Sequence, residues 1–341
     1  MLPVILLDYL SWGNQQIMVE KFKTKPSLFL TRNLPGNGVE KLSEYFDVSV
    51  NPEDRVLEKN EIISHIRDKE ALLCLLTDTI DKDVIQAAPR LKVISNYAVG
   101  FNNIDIIEAT HRKIPVCITP GILTDTTADL TWALILAVTR RIIEADAFTR
   151  NGLFTGWSPS LFLGLDVSQK TLGIVGLGRI GAAVAKRASG FDMKVIYSSR
   201  SKKEMVGAEQ VSLETLLKTA DIISLHVPLT KETHHLIDEH QFQLMKKTAY
   251  LINTTRGAVV KESALLNALK KGEILGAGLD VYENEPQILE GLTALPNVVL
   301  LPHIGSATYE TRTKMALLAA DNAIAIIKGQ KPHAIANPEV L

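Results

Sequence analysis

The chain has 341 residues, of which 37 are Lys or Arg and 38 are Asp or Glu, for a net charge of −1 at neutral pH. That length accommodates two domains, and 46% hydrophobic residues suffice for well-buried cores. The near balance of charge argues against nucleic acid or an anionic membrane as partner, and the cysteines, Cys74 and Cys117, sit in apolar runs (ALLCLL, IPVCIT) and read as buried, inert thiols.

Residues 1–17 read as an N-terminal extension. The apolar run Leu2–Leu7 follows no basic segment and stops at Asp8, short of a membrane span and unlike a signal peptide. Met18 is an alternative start, and the chain is most simply cytoplasmic. From Pro26 onward, strand-like runs SLFLT (27–31), VSV (48–50), ALLCLL (71–76), KVISN (92–96) and IPVCIT (114–119) alternate with helix-like VEKLSEYF, ENEIISHI and KDVIQAA. Such alternation predicts a parallel sheet covered on both faces. A strongly apolar helix follows within ILTDTTADLTWALILAVTRRIIEADAF, read as buried between layers or domains. A second alternating set then runs through TLGIVG, KVIYS, DIISLHVP, TAYLINT, GAGLDV and VVLLPH, with amphipathic stretches between. The expected fold is therefore α/β, with two doubly wound parallel-sheet units in series and a final helix after His303.

At the start of the second set, IVGLGRIG places Gly176, Gly178 and Gly181 in a G-x-G-x-x-G pattern that follows a strand and opens a helix. Gly176 permits the tight turn, Gly178 lets the backbone approach a pyrophosphate, and Gly181 lets helix and strand pack closely, with Leu177, Arg179 and Ile180 between them. An isolated triplet is weak; the intact strand–turn–helix–strand context favours a dinucleotide site.

Together with NYAVGFNNID (96–105), LINTTRGAVV (251–260), GAGLDVYENEP (276–286) and LPHIGSAT (301–308), this turn resembles the D-isomer-specific 2-hydroxyacid dehydrogenase family, and is most similar to its glyoxylate/hydroxypyruvate reductases. The resemblance covers nearly everything from residue 26. It implies a flavodoxin-like substrate domain assembled from both chain ends (18–119 plus 305–341), an inserted Rossmann cofactor domain (120–304) and an active site in the cleft. It also implies reduction of small 2-keto acids to D-2-hydroxy acids.

The resemblance assigns Arg256 to the substrate carboxylate and carbonyl, which a planar guanidinium engages together. His303 matches the acid/base, an imidazole able to give and retake a proton near neutral pH. Glu285 matches its carboxylate partner, a charge that favours the imidazolium. Glu283 is the competing acid two residues away. Ala98, Val99 and Gly100 match a turn whose N–H groups bind the substrate's anionic end, beside Arg256 and His303. Asp280, Thr127, Thr254, Thr255 and Gly305 are expected on the cofactor side. His226, His234 and His235 read as cleft-edge or surface residues, and no metal is required because Arg256 supplies the positive charge.

In NAD-specific dinucleotide folds an acid at the end of the second strand holds the ribose. Here KVIYSSRSKK places Ser199 at that position, then Arg200 and Ser201, with Lys202 and Lys203 beyond. A missing carboxylate removes repulsion of a 2′-phosphate and Arg200 offers a donor to it, so NADP(H) is the expected preference, with NAD(H) possible. Within the family, phosphoglycerate, D-lactate, 2-ketogluconate and phosphite dehydrogenases remain alternatives. So does a non-enzymatic, NAD(H)-sensing protein of the corepressor type. Members are usually homodimers joined through their cofactor domains, and the apolar stretch Leu130–Ala137 is a candidate contributor.

Overall fold

The computed structural model describes residues 25–341; the expectations for residues 1–17 and for Met18 lie outside them. The chain divides into two compact units. One comprises the described residues up to Pro120 with Arg312–Leu341, the other Gly121–Thr311.

In the first unit the chain runs β1 (Ser27–Leu30), α1 (Gly38–Tyr45), β2 (Asp47–Val50), α2 (Lys59–Ile66), β3 (Ala71–Cys74), α3 (Lys82–Gln86), β4 (Val93–Asn96), α4 (Ile106–His111) and β5 (Val116–Cys117). The strands pair in parallel in the order β2-β1-β3-β4-β5, the flavodoxin-like arrangement. Every residue of β3 and β4 is buried, which is why these strands read as continuous apolar runs and not as alternating ones. Three of these helices begin where a side chain satisfies free N–H groups of the first turn: Asp81 accepts from Val84 N, Asp105 from Glu108 N, and Glu58 and Glu61 form a reciprocal capping box. Cys74 and Cys117 are both buried; burial pushes the Cys117 thiol up to about 12.

The second unit contains α5 (Thr124–Thr139), α6 (Ile142–Arg150), β6 (Thr171–Val175), α7 (Arg179–Arg187), β7 (Lys194–Ser198), β8 (Ala208–Gln210), α8 (Leu213–Thr219), β9 (Ile222–Leu225), α9 (Glu239–Leu244), β10 (Tyr250–Asn253), α10 (Glu262–Lys271), β11 (Gly276–Leu279) and β12 (Val298–Leu300). Its all-parallel sheet has the order β12-β11-β10-β9-β6-β7-β8. Numbered within the unit this is the Rossmann order, with the strand order reversing between β6 and β9. One apolar cluster, including Phe242, Leu251 and Leu265, and a second, including Ile135, Ile174 and Val184, bury the sheet.

Within α5, Leu130–Ala137 is largely used inside its own unit: Leu134 and Ile135 are buried and Trp132 donates its ring N–H to Val184 O. Leu130, Leu136 and Ala137 stay partly exposed and Ala133 is exposed. Exposed apolar side chains cluster further on, at Ile142, Ile143, Leu153, Phe154, Trp157 and Leu163.

The last helix, α11 (Tyr309–Ile327), supplies the first unit with Ala316 against Gly38 and a carbonyl, Ala319 O, that accepts from Ser95 Oγ. The segment after it completes the sheet edge. Strand β5 is shorter than IPVCIT suggests: Pro115 lacks an N–H, Cys117 pairs with Ser95 on one side and bridges antiparallel to Ile335 on the other, and Ile118 N then turns to Ala334 O. Asn337 sits at the centre of this closure, its Oδ1 accepting from Val116 N and its Nδ2 donating to Ile114 O. Replacing Asn337 with Ala leaves both backbone groups buried and unpaired, which should cost about 1–3 kcal/mol. A lowered midpoint of urea unfolding is expected; a wild-type midpoint would contradict this account of the edge.

Candidate active site

The functional candidates of the second unit lie at the C-terminal ends of its parallel strands, where open α/β sheets bind ligands. The glycine turn occupies the space between β6 and α7. Gly176 has φ +95°, and a Cβ there would lie 2.7 Å from His226 O. At Gly181 a Cβ would collide with Gly176 O, whereas Gly178, at the N-cap of α7, faces open space. Leu177 is buried, so it offers backbone only, while Arg179 is exposed. The turn thus has the cradle a pyrophosphate requires: exposed backbone at a helix N-terminus and no side chain in the way.

Further along, Asp280 accepts Ile304 N on Oδ1 at 2.7 Å, while its Oδ2 is buried without a hydrogen bond of good geometry. Burial pushes this carboxyl above its ordinary value. A Cβ on Gly305 would approach that same oxygen to 3.3 Å, and Thr127 donates to Gly305 O. Asp280, Gly305 and Thr127 therefore form one buried cluster with an unused acceptor, which suits a donor group such as a carboxamide. Thr254 shares a hydrogen bond with Thr131, and Thr255 donates to Asn253 Oδ1. These residues fit a nicotinamide dinucleotide.

At the adenosine end, β7 stops at Ser198 and no acid follows until Glu204. Ser199 Oγ donates to Ser201 O, and the buried Tyr197 hydroxyl both donates to Lys203 O and accepts from Lys203 N. The basic turn is thereby anchored at both ends while Arg200, Lys202 and Lys203 are exposed. Arg200 lies within Coulombic reach of Glu232.

Arg256 and Glu285 come from adjacent loops, those leaving β10 and β11. A Cβ on Gly257 would overlap the carbonyl group of Tyr282, so the two loops touch backbone to backbone. Asn253 holds the first loop, donating to Arg256 O and accepting from Thr255 N. Burial lowers the Arg256 guanidinium from its ordinary value, and the charge of Glu285 opposes that shift. Glu285 accepts from Tyr282 N at 3.0 Å, and its other oxygen lies 2.8 Å from His303 Nδ1. His303 adopts a left-handed backbone with φ +55°, a conformation that costs a non-glycine residue energy and clusters at functional sites. Burial works to raise the Glu285 carboxyl, but the His303 hydrogen bond and charge, Tyr282 N and Arg256 together hold it below the ordinary range.

Glu283, the competing acid, bonds not to His303 but to His235, at 2.7 Å. His226, partly buried beside the glycine turn, has its Nε2 bonded to Ser224 Oγ, and burial lowers the imidazole to about 3. Nothing in the local sequence marks Asn253, Ser224 or the His235–Glu283 pair. Among the described residues, no group of three His, Cys, Asp or Glu is arranged to hold a metal.

In the first unit, the Ala98–Gly100 turn follows β4. Thr119 N donates to Ala98 O and Asn96 Nδ2 to Gly100 O, fixing both carbonyls, while Val99 N and Gly100 N make no hydrogen bond among the described residues.

The second unit is thus a dinucleotide-binding fold of dehydrogenase type. The family model described as D-isomer specific 2-hydroxyacid dehydrogenase, NAD binding domain, matches residues 132–305. A glyoxylate reductase from Thermococcus litoralis is 54% identical over 325 residues, 93% of this chain and 98% of that protein. Another, from Korarchaeum cryptofilum, is 49% identical over 93% of this chain and 97% of that one. Among solved structures, an NADPH-dependent glyoxylate/hydroxypyruvate reductase from Sinorhizobium meliloti, in complex with NADP and malonate, is similar with TM-score 0.84 and 30% identity, covering 92% of this chain and 98% of that chain. The chain belongs to the D-isomer-specific 2-hydroxyacid dehydrogenase family.

Because the Glu285 carboxyl is held low in the folded state, its contribution to stability is present above its unfolded value of about 4.5 and is lost as pH falls through the lower folded value. Between about pH 5 and pH 3 the stability of the wild-type protein should therefore fall more steeply than that of Glu285→Gln. Parallel urea-unfolding curves for the two proteins across that range would refute the linkage.

Proposed function

We propose that this enzyme reduces glyoxylate and hydroxypyruvate to their 2-hydroxy acids, with NADPH preferred over NADH. The observation that carries the reading is the Arg256–Glu285–His303 cluster, joined in one fold with a dinucleotide turn. Relatives about half identical over most of their length are glyoxylate reductases.

The nicotinamide cofactor supplies the hydride. Arg256 donates to the carboxylate and carbonyl oxygens of the keto acid, polarising the C=O bond while fixing its orientation. His303 donates its Nε2 proton to the developing alkoxide, and Glu285 accepts from Nδ1 to set the ring's orientation. The N–H groups of Val99 and Gly100 receive the substrate carboxylate. On this reading, Gly121–Thr311 is the cofactor domain and the other unit the substrate domain. Asp280, with Thr127, Thr254, Thr255 and Gly305 near it, serves the nicotinamide side.

The preference for NADPH rests on the anchored turn Ser199–Lys203, where Ser199 stands in place of the acid and Arg200 beside it offers a base. The proposal extends to a cytoplasmic homodimer, supported by the several large apolar side chains left exposed between Ile142 and Leu163, a kind of surface that a second subunit covers. Among the described residues, no helix is long and apolar enough to cross a membrane.

Steady-state rates with NADPH and NADH against glyoxylate, hydroxypyruvate and pyruvate test the reading; failure to oxidise either cofactor with any of these acids would sink it. Arg200→Asp should move the kcat/KM ratio toward NADH by roughly tenfold or more, the worth of one charge-assisted hydrogen bond. An unchanged ratio would mean that the basic turn does not read the phosphate. His303→Asn should lower kcat by ~10²- to 10⁴-fold, with cofactor binding preserved by fluorescence titration. Negligible turnover in the wild type, with a partner protein whose binding responds to NAD(H), would favour a sensor instead.

A further inference from the structure

A second histidine–carboxylate pair lies beside the first. His235 and Glu283 share a 2.7 Å hydrogen bond. The other Glu283 oxygen accepts from Glu262 N, while Glu262 Oε1 accepts from Glu283 N at 2.7 Å. This reciprocal clasp is an unusual use of a carboxylate, because Glu262 is only 5% exposed. Burying a carboxylate is unfavourable unless it is fully engaged. His235 has the left-handed backbone of His303, with φ +52°, and is fixed to the turn after Arg256 by its N–H donating to Ala258 O.

The clasp therefore joins three segments: the loop after β9, the turn from Arg256 into α10, and the segment from Tyr282 to Glu285. That last segment packs against Gly257 and is hydrogen-bonded by Glu262 and His235. The direction of the Glu285 carboxylate depends on it, because Glu285 accepts from Tyr282 N while it faces His303. We propose that Glu283, clasped by Glu262 and His235, is a positioning residue that aims the Glu285–His303 pair for proton transfer. The proposal rests on the reading of His303 as the acid. Glu283 makes no contact with His303 and acts through Glu285.

The test uses the full-length enzyme with NADPH and glyoxylate. Glu283→Ala should lower kcat on the order of 10- to 100-fold, the usual effect of misplacing a reacting group by about an ångström, with cofactor dissociation unchanged. Glu283→Gln, which retains an acceptor for Glu262 N, should recover most of that loss. Glu285→Gln should be slow, and the double variant Glu283→Ala with Glu285→Gln no slower than Glu285→Gln alone, since one residue works through the other. If Glu283→Ala does not fold, His235→Asn removes the imidazole at a position whose left-handed backbone Asn tolerates, and the same non-additivity is expected. A slow Glu285→Gln with wild-type kcat in the clasp variants, or strictly additive losses, would overturn the positioning role alone. Wild-type kcat in Glu285→Gln would overturn the acid reading and this proposal with it.

Discussion

Everything distinctive about the candidate site depends on one contact without side chains, the backbone of Gly257 against that of Tyr282. Strands β10 and β11 are parallel neighbours paired from Tyr250 with Gly276 to Asn253 with Leu279. They end level with each other, so their loops leave side by side. Any Cβ at residue 257 would push those loops apart and separate Arg256 from Glu285. With glycine there, a buried guanidinium and a carboxylate lie within Coulombic reach. The carboxylate in turn holds an imidazole on a strained backbone. A buried charge tolerates little displacement, because the partner left behind is poorly solvated; the close approach is thus an electrostatic requirement as well as a packing one.

The cofactor side is built on the opposite plan. The basic turn at Ser199–Lys203 is exposed, yet Tyr197 anchors it from within the core through its hydroxyl. Scaffold and charge are separate: Tyr197 fixes the course of the chain, while the exposed side chains of Arg200, Lys202 and Lys203 contribute charge. In the Arg256 loop the two duties coincide, since Asn253 and Gly257 set both the backbone and the guanidinium.

The two α/β units were legible because a parallel sheet covered on both faces demands long apolar runs, and β3, β4, β9 and β10 are buried at every residue. The glycine turn was legible because its requirements are local, a tight turn and a close approach within six residues. Strand β5 was read as longer than it is, since the segment that Cys117 and Ile118 meet beyond β4, at Ala334 and Ile335, lies more than two hundred residues away in sequence and leaves no local mark. For the same reason the His235–Glu283 pair, 48 residues apart, was invisible. In the stretch Leu130–Ala137 hydropathy does not say which side chains face the unit's own core; Trp132, Leu134 and Ile135 do, while Ala133 is exposed.

The discontinuity of the first unit has a consequence for synthesis. Residues 121–311 form the second unit without a break, so it can close while the chain is still being made. The first unit cannot. Gly38 awaits Ala316, Ser95 awaits Ala319 O, and the edge at Val116 awaits Asn337. Its five-stranded sheet precedes the second unit along the chain yet is completed only by the segment that follows it, so its apolar surface and one strand edge stay open until Ala316, Ala319 and Asn337 have been made. The stage most prone to misassociation therefore belongs to the half of the molecule that holds no dinucleotide turn.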